Sequence, residues 1–230
     1  MTLRPALFAP AALALVLALA GPAAAQDKPD LSFNVGVASD YVFRGISQTN
    51  EDPEVFGGAD LSWGNFYAGT WLSNVDYSDS TDMEFDLYAG FKPTLGAVSL
   101  DLGVYYYGYT DQPTGADYDY LELKAAGSVP LGPVTLGAQA YYSPNYYSGA
   151  DHGFYYEANG AYAPTEKLSF SAALGRQEVS GSSDYTTWNI GVGYALTDHL
   201  AVDVRYHDTD KHSLGKTYGS RVAATLKATF

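Results

Sequence analysis

Arg221-Val222-Ala223-Ala224-Thr225-Leu226-Lys227-Ala228-Thr229-Phe230 is the stretch that decides the fold. Val222, Ala224, Leu226, Ala228 and Phe230 are apolar. Arg221, Ala223, Thr225, Lys227 and Thr229 alternate with them, and all but Ala223 are polar. Side chains on a strand point to opposite faces with period two, so this is a strand with one greasy and one wet face. It reaches the end of the sequence on an aromatic residue, where soluble chains are usually frayed and polar. A strand of this kind is expected to be paired. In an outer-membrane barrel the last strand closes against the first; in a soluble β domain it is an ordinary terminal strand. The rest of the chain has to decide between them.

Residues 1–25 read as a secretory leader. Arg4 supplies positive charge, Ala6 to Ala20 is an apolar run, and Ala23-Ala24-Ala25 before Gln26 forms an A-x-A cleavage site. A spanning helix needs roughly 20 apolar residues, and this run is interrupted by Gly21 and Pro22. Residues 26–230 are then a single domain, with no linker or low-complexity tract. No other apolar run in them is long enough for a helical span, so the exported chain either stays soluble or crosses a membrane as a closed sheet. With Cys 0, it has no disulfides to stabilise it and must rely on a large core or a bilayer. Asp+Glu 26 against Lys+Arg 12 excludes the basic surface that nucleic acid requires. Gly 24 and Tyr 21 are high counts, and suit curved strands with interfacial tyrosines.

Working back along the chain, alternating segments of about ten residues recur, the length a tilted strand needs to cross hydrocarbon. The first is read as Leu31 to Gly45, with Asp40 and Arg44 on its polar face. Val55 to Trp63, Phe66 onward, Met83 to Phe91, Val98 to Tyr107, Tyr120 to Val129 and Val134 to Tyr142 follow. Phe154 to Tyr162, Leu168 to Leu174, Thr187 to Tyr194, Leu200 to His207 and the closing strand complete about twelve, an even number as in bacterial single-chain barrels. Turns near Gly64, Pro93, Pro130, Pro164 and Thr197 are short. Loops near Gln48, Ser80, Thr114, Tyr147, Gly181 and Gly215 are longer and polar. Short periplasmic turns and longer outer loops are the outer-membrane pattern, which places both termini in the periplasm. The predicted fold is an all-β, transmembrane, antiparallel up-and-down barrel in outer-membrane lipid.

Ala38-Ser39-Asp40-Tyr41-Val42-Phe43-Arg44-Gly45-Ile46-Ser47-Gln48-Thr49 resembles the N-terminal signature of the TorF-like porin family (Gcw_chp) of proteobacterial outer-membrane proteins. Phe56-Gly57-Gly58-Ala59-Asp60, Phe66-Tyr67-Ala68-Gly69-Thr70-Trp71, Ser73-Asn74-Val75-Asp76 and Arg205-Tyr206-His207-Asp208-Thr209-Asp210 extend the likeness. The resemblance implies an outer-membrane barrel of porin type. It brings no established substrate and no catalytic residues. It also implies that Phe230 is the assembly signal read by the barrel-assembly machinery.

The polar faces are expected to line a lumen. They carry Asp40, Glu54, Asp60, Glu84, Asp86, Asp101, Glu122, Glu157 and Asp203, answered by Arg44, Lys124, Arg205, Arg221 and Lys227. An acid excess concentrates cations and excludes anions, which gives a mildly cation-preferring pore for small polar solutes. The same charges could instead pair across the lumen and plug it. Tyr67, Tyr88, Tyr105, Tyr107, Tyr141 and Tyr155 face the same way and narrow it, either lining a solute path or filling space. Arg44 with Asp40 sets a constriction or a simple strand-end ion pair. Passive diffusion through a channel is the function this pattern fits, with no cofactor, metal or catalytic group called for. A plugged structural or adhesion barrel acting through its outer loops is the alternative. A hydrolase reading rests only on His207-Asp208-Thr209-Asp210-Lys211-His212, whose two histidines flank the last outer loop, where a Ser-His or Asp-His group could sit; no G-x-S-x-G occurs.

Overall fold

The computed structural model describes residues 28–230, so the expected leader lies outside the described residues. Twelve long strands form one closed wall. They are β1 (Asp30–Ala38), β2 (Glu54–Trp63), β3 (Phe66–Asn74), β4 (Met83–Phe91), β5 (Val98–Tyr109) and β6 (Tyr120–Leu131). β7 (Val134–Ser143), β8 (Gly153–Tyr162), β9 (Leu168–Val179), β10 (Tyr185–Ala195), β11 (Leu200–Thr209) and β12 (Arg221–Thr229) follow. Each strand pairs antiparallel with its sequence neighbours. β12 closes the circle on β1, with Thr225–Thr229 against Asn34–Ala38. The seam extends one step further, because Phe33 and Phe230 exchange backbone hydrogen bonds of 3.1 and 2.9 Å. Among the described residues no edge of the wall is left open, which is the condition for a sheet to stand in hydrocarbon.

The alternation read from the sequence sets which way each side chain points, and the direction is inverted relative to a soluble barrel. Leu87 is 53 % exposed while its neighbours on β4, Asp86 and Tyr88, are 2 % and 5 % exposed. The outer face is a continuous apolar belt: Leu31, Phe33, Val35, Leu61, Leu72, Leu102, Leu123, Leu136, Leu174, Ile190, Val204 and Val222 are all exposed. Water would penalise so large an apolar surface, so the belt belongs in a bilayer. Aromatic rings edge it at both ends. Trp63, Phe66, Tyr162, Phe170, Tyr194 and Phe230 stand at the end of the short turns, and Tyr142, Phe154, Tyr156, Trp188 and Tyr206 stand towards the long loops. Paired girdles of this kind mark the two interfaces of a membrane barrel.

Connections differ in length at the two ends as expected. Residues 64–65, 92–97, 132–133, 163–167 and 196–199 turn at one end; residues 39–53, 75–82, 110–119, 144–152, 180–184 and 210–220 loop at the other. At Trp63-Gly64-Asn65-Phe66 the φ of Gly64 is 59°. Positive φ at the first central residue is the type II′ geometry whose twist matches the flanking strands.

One segment departs from the sequence reading. The first strand does not run from Leu31 to Gly45. It ends at Ala38, and the chain leaves the wall at Ser39. Val42–Phe43 then pair with Ile46–Ser47 as a separate small hairpin. Its tip is Arg44-Gly45, with φ of 48° and 85°, the type I′ combination that reverses a hairpin in two residues. Of the four residues read as alternating here, Phe43 lies in the hairpin strand, Asp40 and Tyr41 precede it and Arg44 sits in its turn, so none belongs to the wall.

Candidate lumen constriction

The hairpin folds inward, and its tip meets the lumen wall. Arg44 Nη1 and Nη2 donate to Glu122 Oε1 and Oε2 on β6 at 2.8 and 2.7 Å, a two-pronged charge-assisted pair. Nη1 also donates to Gln177 Oε1 on β9 at 3.0 Å. The guanidinium lies 4.8 Å from the ring centre of Tyr141 and 4.4 Å from that of Tyr155, on β7 and β8, within cation–π range. Phe43 meets the edge of Tyr107 on β5 at 5.9 Å. On the opposite side of the hairpin, Gly45 sits against Thr187 of β10 and Thr209 of β11. A Cβ on Gly45 would come within 2.2 Å of Thr187 Oγ1, so no larger residue fits there. The tip therefore reaches the wall on both sides.

Its base is also tied down. Tyr41 Oη donates to Glu84 Oε1 on β4 at 2.8 Å and packs 5.1 Å from Trp71 on β3. Asp40 accepts from Ser47 Oγ at 2.6 Å and from Arg221 Nη1 on β12 at 3.2 Å. Arg221 Nη2 binds the carbonyls of Lys216, Thr217 and Gly219, so the 210–220 loop is fastened to the same point. Tyr77 Oη donates to Gln48 Oε1 at 3.0 Å, bringing in the 75–82 loop.

The consequence is a lumen with two unlike halves. At the level of the hairpin every strand contributes a buried inward residue, among them Asn34, Phe56, Trp71, Asp86, Tyr107, Glu122, Tyr141, Tyr155, Gln177, Thr187, His207 and Ala223. Towards the short turns, Asp60, Tyr67, Asp101, Lys124, Ser128, Gln139, Glu157, Asn159, Ser171, Asn189 and Asp203 are half-buried, beside the buried Tyr105, Thr135, Arg205 and Lys227. This half is less tightly filled than the hairpin level, and two ion pairs form within it. Lys124 pairs with Asp101 at 2.7 Å and Arg205 with Asp203 at 3.0 Å. Tyr67 donates to Asp101 at 2.7 Å, Tyr88 to Asp60 at 2.6 Å and Tyr155 to Glu157 at 2.7 Å.

All the expected lumen charges and tyrosines therefore face inward, but their pairings differ from expectation. Arg44 does not pair with Asp40 along one strand. It spans the barrel to Glu122, while Asp40 takes Arg221, because the two acids and the two bases are separated once the chain turns in at Ser39. His207 lies near the end of β11, buried and inward, at the edge of the last loop. In that loop His212 Nε2 lies 2.6 Å from Asp208, whose other oxygen accepts from Tyr206 Oη. The pair fastens the loop to the rim of β11. The residues that sequence reading missed are Gln177, Thr187 and Thr209, which form the far wall. Their inward phase was readable, but nothing in the sequence marks them as hairpin contacts.

The comparisons with known proteins bear on the fold. A family model described as a bacterial protein of unknown function (Gcw_chp) matches residues 22–230. The KdgM porin superposes with a TM-score of 0.61 at 10% identity, covering 86% of this chain and 99% of that one. The NanC porin gives 0.59 at 12% identity, covering 87% and 99%. Outer membrane phospholipase A from Escherichia coli gives 0.50 at 13% identity, covering 87% and 89%. At such identities the likeness is one of fold. No curated protein matches the chain.

Removing one partner of a buried ion pair leaves the other uncompensated, at a cost of about 3–5 kcal/mol. Glu122→Gln is therefore expected to release the hairpin. Trypsin, which cleaves after Arg44 only when that bond is accessible, should then nick the folded barrel between Arg44 and Gly45, while leaving the wild-type protein intact there.

Proposed function

Because the chain belongs to the Gcw_chp family of bacterial proteins of unknown function, and its barrel encloses a charge-lined lumen crossed by a latched hairpin, we propose that it is an outer-membrane channel for small polar solutes, with the Val42–Ser47 hairpin as its constriction. The observation that carries the reading is the contrast between the two halves of the lumen. A barrel needed only for structure has no use for a water-accessible interior rich in amides, hydroxyls and paired charges. We infer that this interior opens towards the short-turn end. On this reading that end and both termini lie in the periplasm, and the loops, including 39–53, face outward.

Transport would be passive. Solute entering from outside meets the hairpin first, and flux depends on the fraction of molecules in which it is displaced. Selectivity is set where the path is narrowest. There the acids outnumber the bases: Asp40 and Glu122 are paired with Arg221 and Arg44, whereas Glu54, Glu84 and Asp86 have no basic partner within 4.0 Å among the described residues. A mild preference for cations follows.

A second reading, a plugged barrel that acts through its loops, is favoured by the complete ring of buried side chains at hairpin level. Bilayer conductance separates the two. Replacing Val42–Ser47 by a short Gly-Ser linker should raise single-channel conductance several-fold over the wild type, with a reversal potential indicating cation preference. Absence of current steps in both proteins would leave only the plugged barrel. Anion selectivity would remove the role given to the acids.

Phe230 stands 68 % exposed at the short-turn end of the seam, where we assign it the role of signal to the barrel-assembly machinery. Deleting it should lower the amount of folded barrel in the outer membrane without altering conductance of the molecules that do fold. Wild-type levels of insertion would remove this role.

A further inference from the structure

Glu84 and Asp86 stand out among the buried acids. Four lumen carboxylates have a cation, Glu122 with Arg44, Asp40 with Arg221, Asp101 with Lys124 and Asp203 with Arg205, whereas Glu54 and Glu157 have only neutral donors such as Ser73 and Gln139. Glu84 is 2 % exposed and holds only hydroxyl donors, Tyr41 Oη foremost. Asp86 is also 2 % exposed, and its Oδ1 has no hydrogen-bond partner. A buried carboxylate without donor or counter-charge is costly to keep, so this position is incomplete as it stands. Among the described residues no three acidic or histidine side chains converge closely enough to hold a metal ion.

What surrounds the two acids is aromatic. In register, Asp86 is flanked by Trp71 on β3 and Tyr107 on β5, and Glu84 by Ser73 and Tyr109. Trp71, Tyr107 and Tyr109 are all buried on the lumen side. The hairpin supplies the remaining wall, with the Tyr41 ring against Trp71 and its hydroxyl on Glu84. Carboxylates set among Trp and Tyr faces are the chemistry that takes an organic ammonium: the N–H groups donate to the acids, and the alkyl stem and charge lie against the rings. A small hydrated ion gains less from those faces.

We propose that Glu84 and Asp86, with Trp71 and Tyr107, form a binding site for the primary alkylammonium group of a permeating solute, and that the hairpin's Tyr41 occupies part of this site in the closed lumen. The proposal rests on the channel reading for its solute and deepens it from a charge preference to a chemical class. Because ammonium and Tyr41 compete for Glu84, the solute binds the hairpin-displaced state better and shifts the population towards it.

The test reads binding without current. n-Butylammonium chloride is titrated calorimetrically into the folded barrel in detergent, against potassium chloride at equal ionic strength. The wild type should bind butylammonium over potassium, and a Gly-Ser hairpin replacement extended to Tyr41–Ser47 should bind it at least tenfold more tightly, having lost the competitor. Glu84→Gln combined with Asp86→Asn, in a barrel that keeps its folded gel mobility, should lose the binding at least tenfold. Trp71→Leu, which keeps both charges, should weaken butylammonium several-fold and leave potassium unchanged. Binding unaffected by the double substitution, or no binding to the hairpin replacement, would overturn the site. A barrel that binds butylammonium but never conducts would remove the channel reading and leave the site standing.

Discussion

The Arg44–Glu122 pair is the interaction on which the interior depends. A twelve-stranded wall leaves more room than its inward side chains fill unaided, and this chain fills the loop-end half by sending a hairpin into it. A hairpin of six residues has almost no core of its own and would not hold a fixed position alone. The two-pronged bond to Glu122, the amide of Gln177 and the faces of Tyr141 and Tyr155 supply the fixed position. Arginine suits the task because its planar fork matches a carboxylate and stacks on rings while remaining charged when buried. Gly45 completes the fit by letting the tip approach Thr187 and Thr209.

The wall itself was legible in the sequence because its information is local. Alternation sets which face each residue takes, and a slip of one position would reverse every face, so the phase is strongly specified wherever one side must be apolar. Strand number, the inequality of turns and loops, and the inward placement of residues such as Asp60, Glu84, Lys124 and Tyr155 all follow from that. The hairpin was misread for the same reason. Its residues alternate in phase with β1, and Arg-Gly is a weaker turn signal than Asn-Gly or Asp-Gly. Whether the chain continues up the wall or turns inside depends on Glu122, Gln177 and Thr187, which lie far along the sequence and offer no local cue. The pairings of charges are equally non-local. Alternation puts Asp101 and Lys124 in one lumen, but only the register of β5 against β6 brings them to 2.7 Å.

The distribution of tyrosine links these levels. In the loop-end half, Tyr41, Tyr107, Tyr109 and Tyr120 close space by packing ring on ring, with Tyr107 and Tyr120 stacked at 4.5 Å. In the other half, Tyr67 and Tyr88 spend their hydroxyls on Asp101 and Asp60. Hydroxyl-to-carboxylate bonds run through both halves, since Tyr41 and Tyr107 also donate to Glu84 and Glu122. The apolar belt outside and the polar interior are the same alternation seen from two sides.

The central claim is that the hairpin separates the two halves of the lumen. The chain has Cys 0, so a single cysteine can be placed at Ser128, inward on β6 below the hairpin, in barrels reconstituted with known orientation. Side-selective labelling by a water-soluble, membrane-impermeant thiol reagent then tests the claim most directly. The account predicts rapid labelling from the short-turn side and at least tenfold slower labelling from the loop side. Equal rates from both sides would show an open path past the hairpin and contradict it.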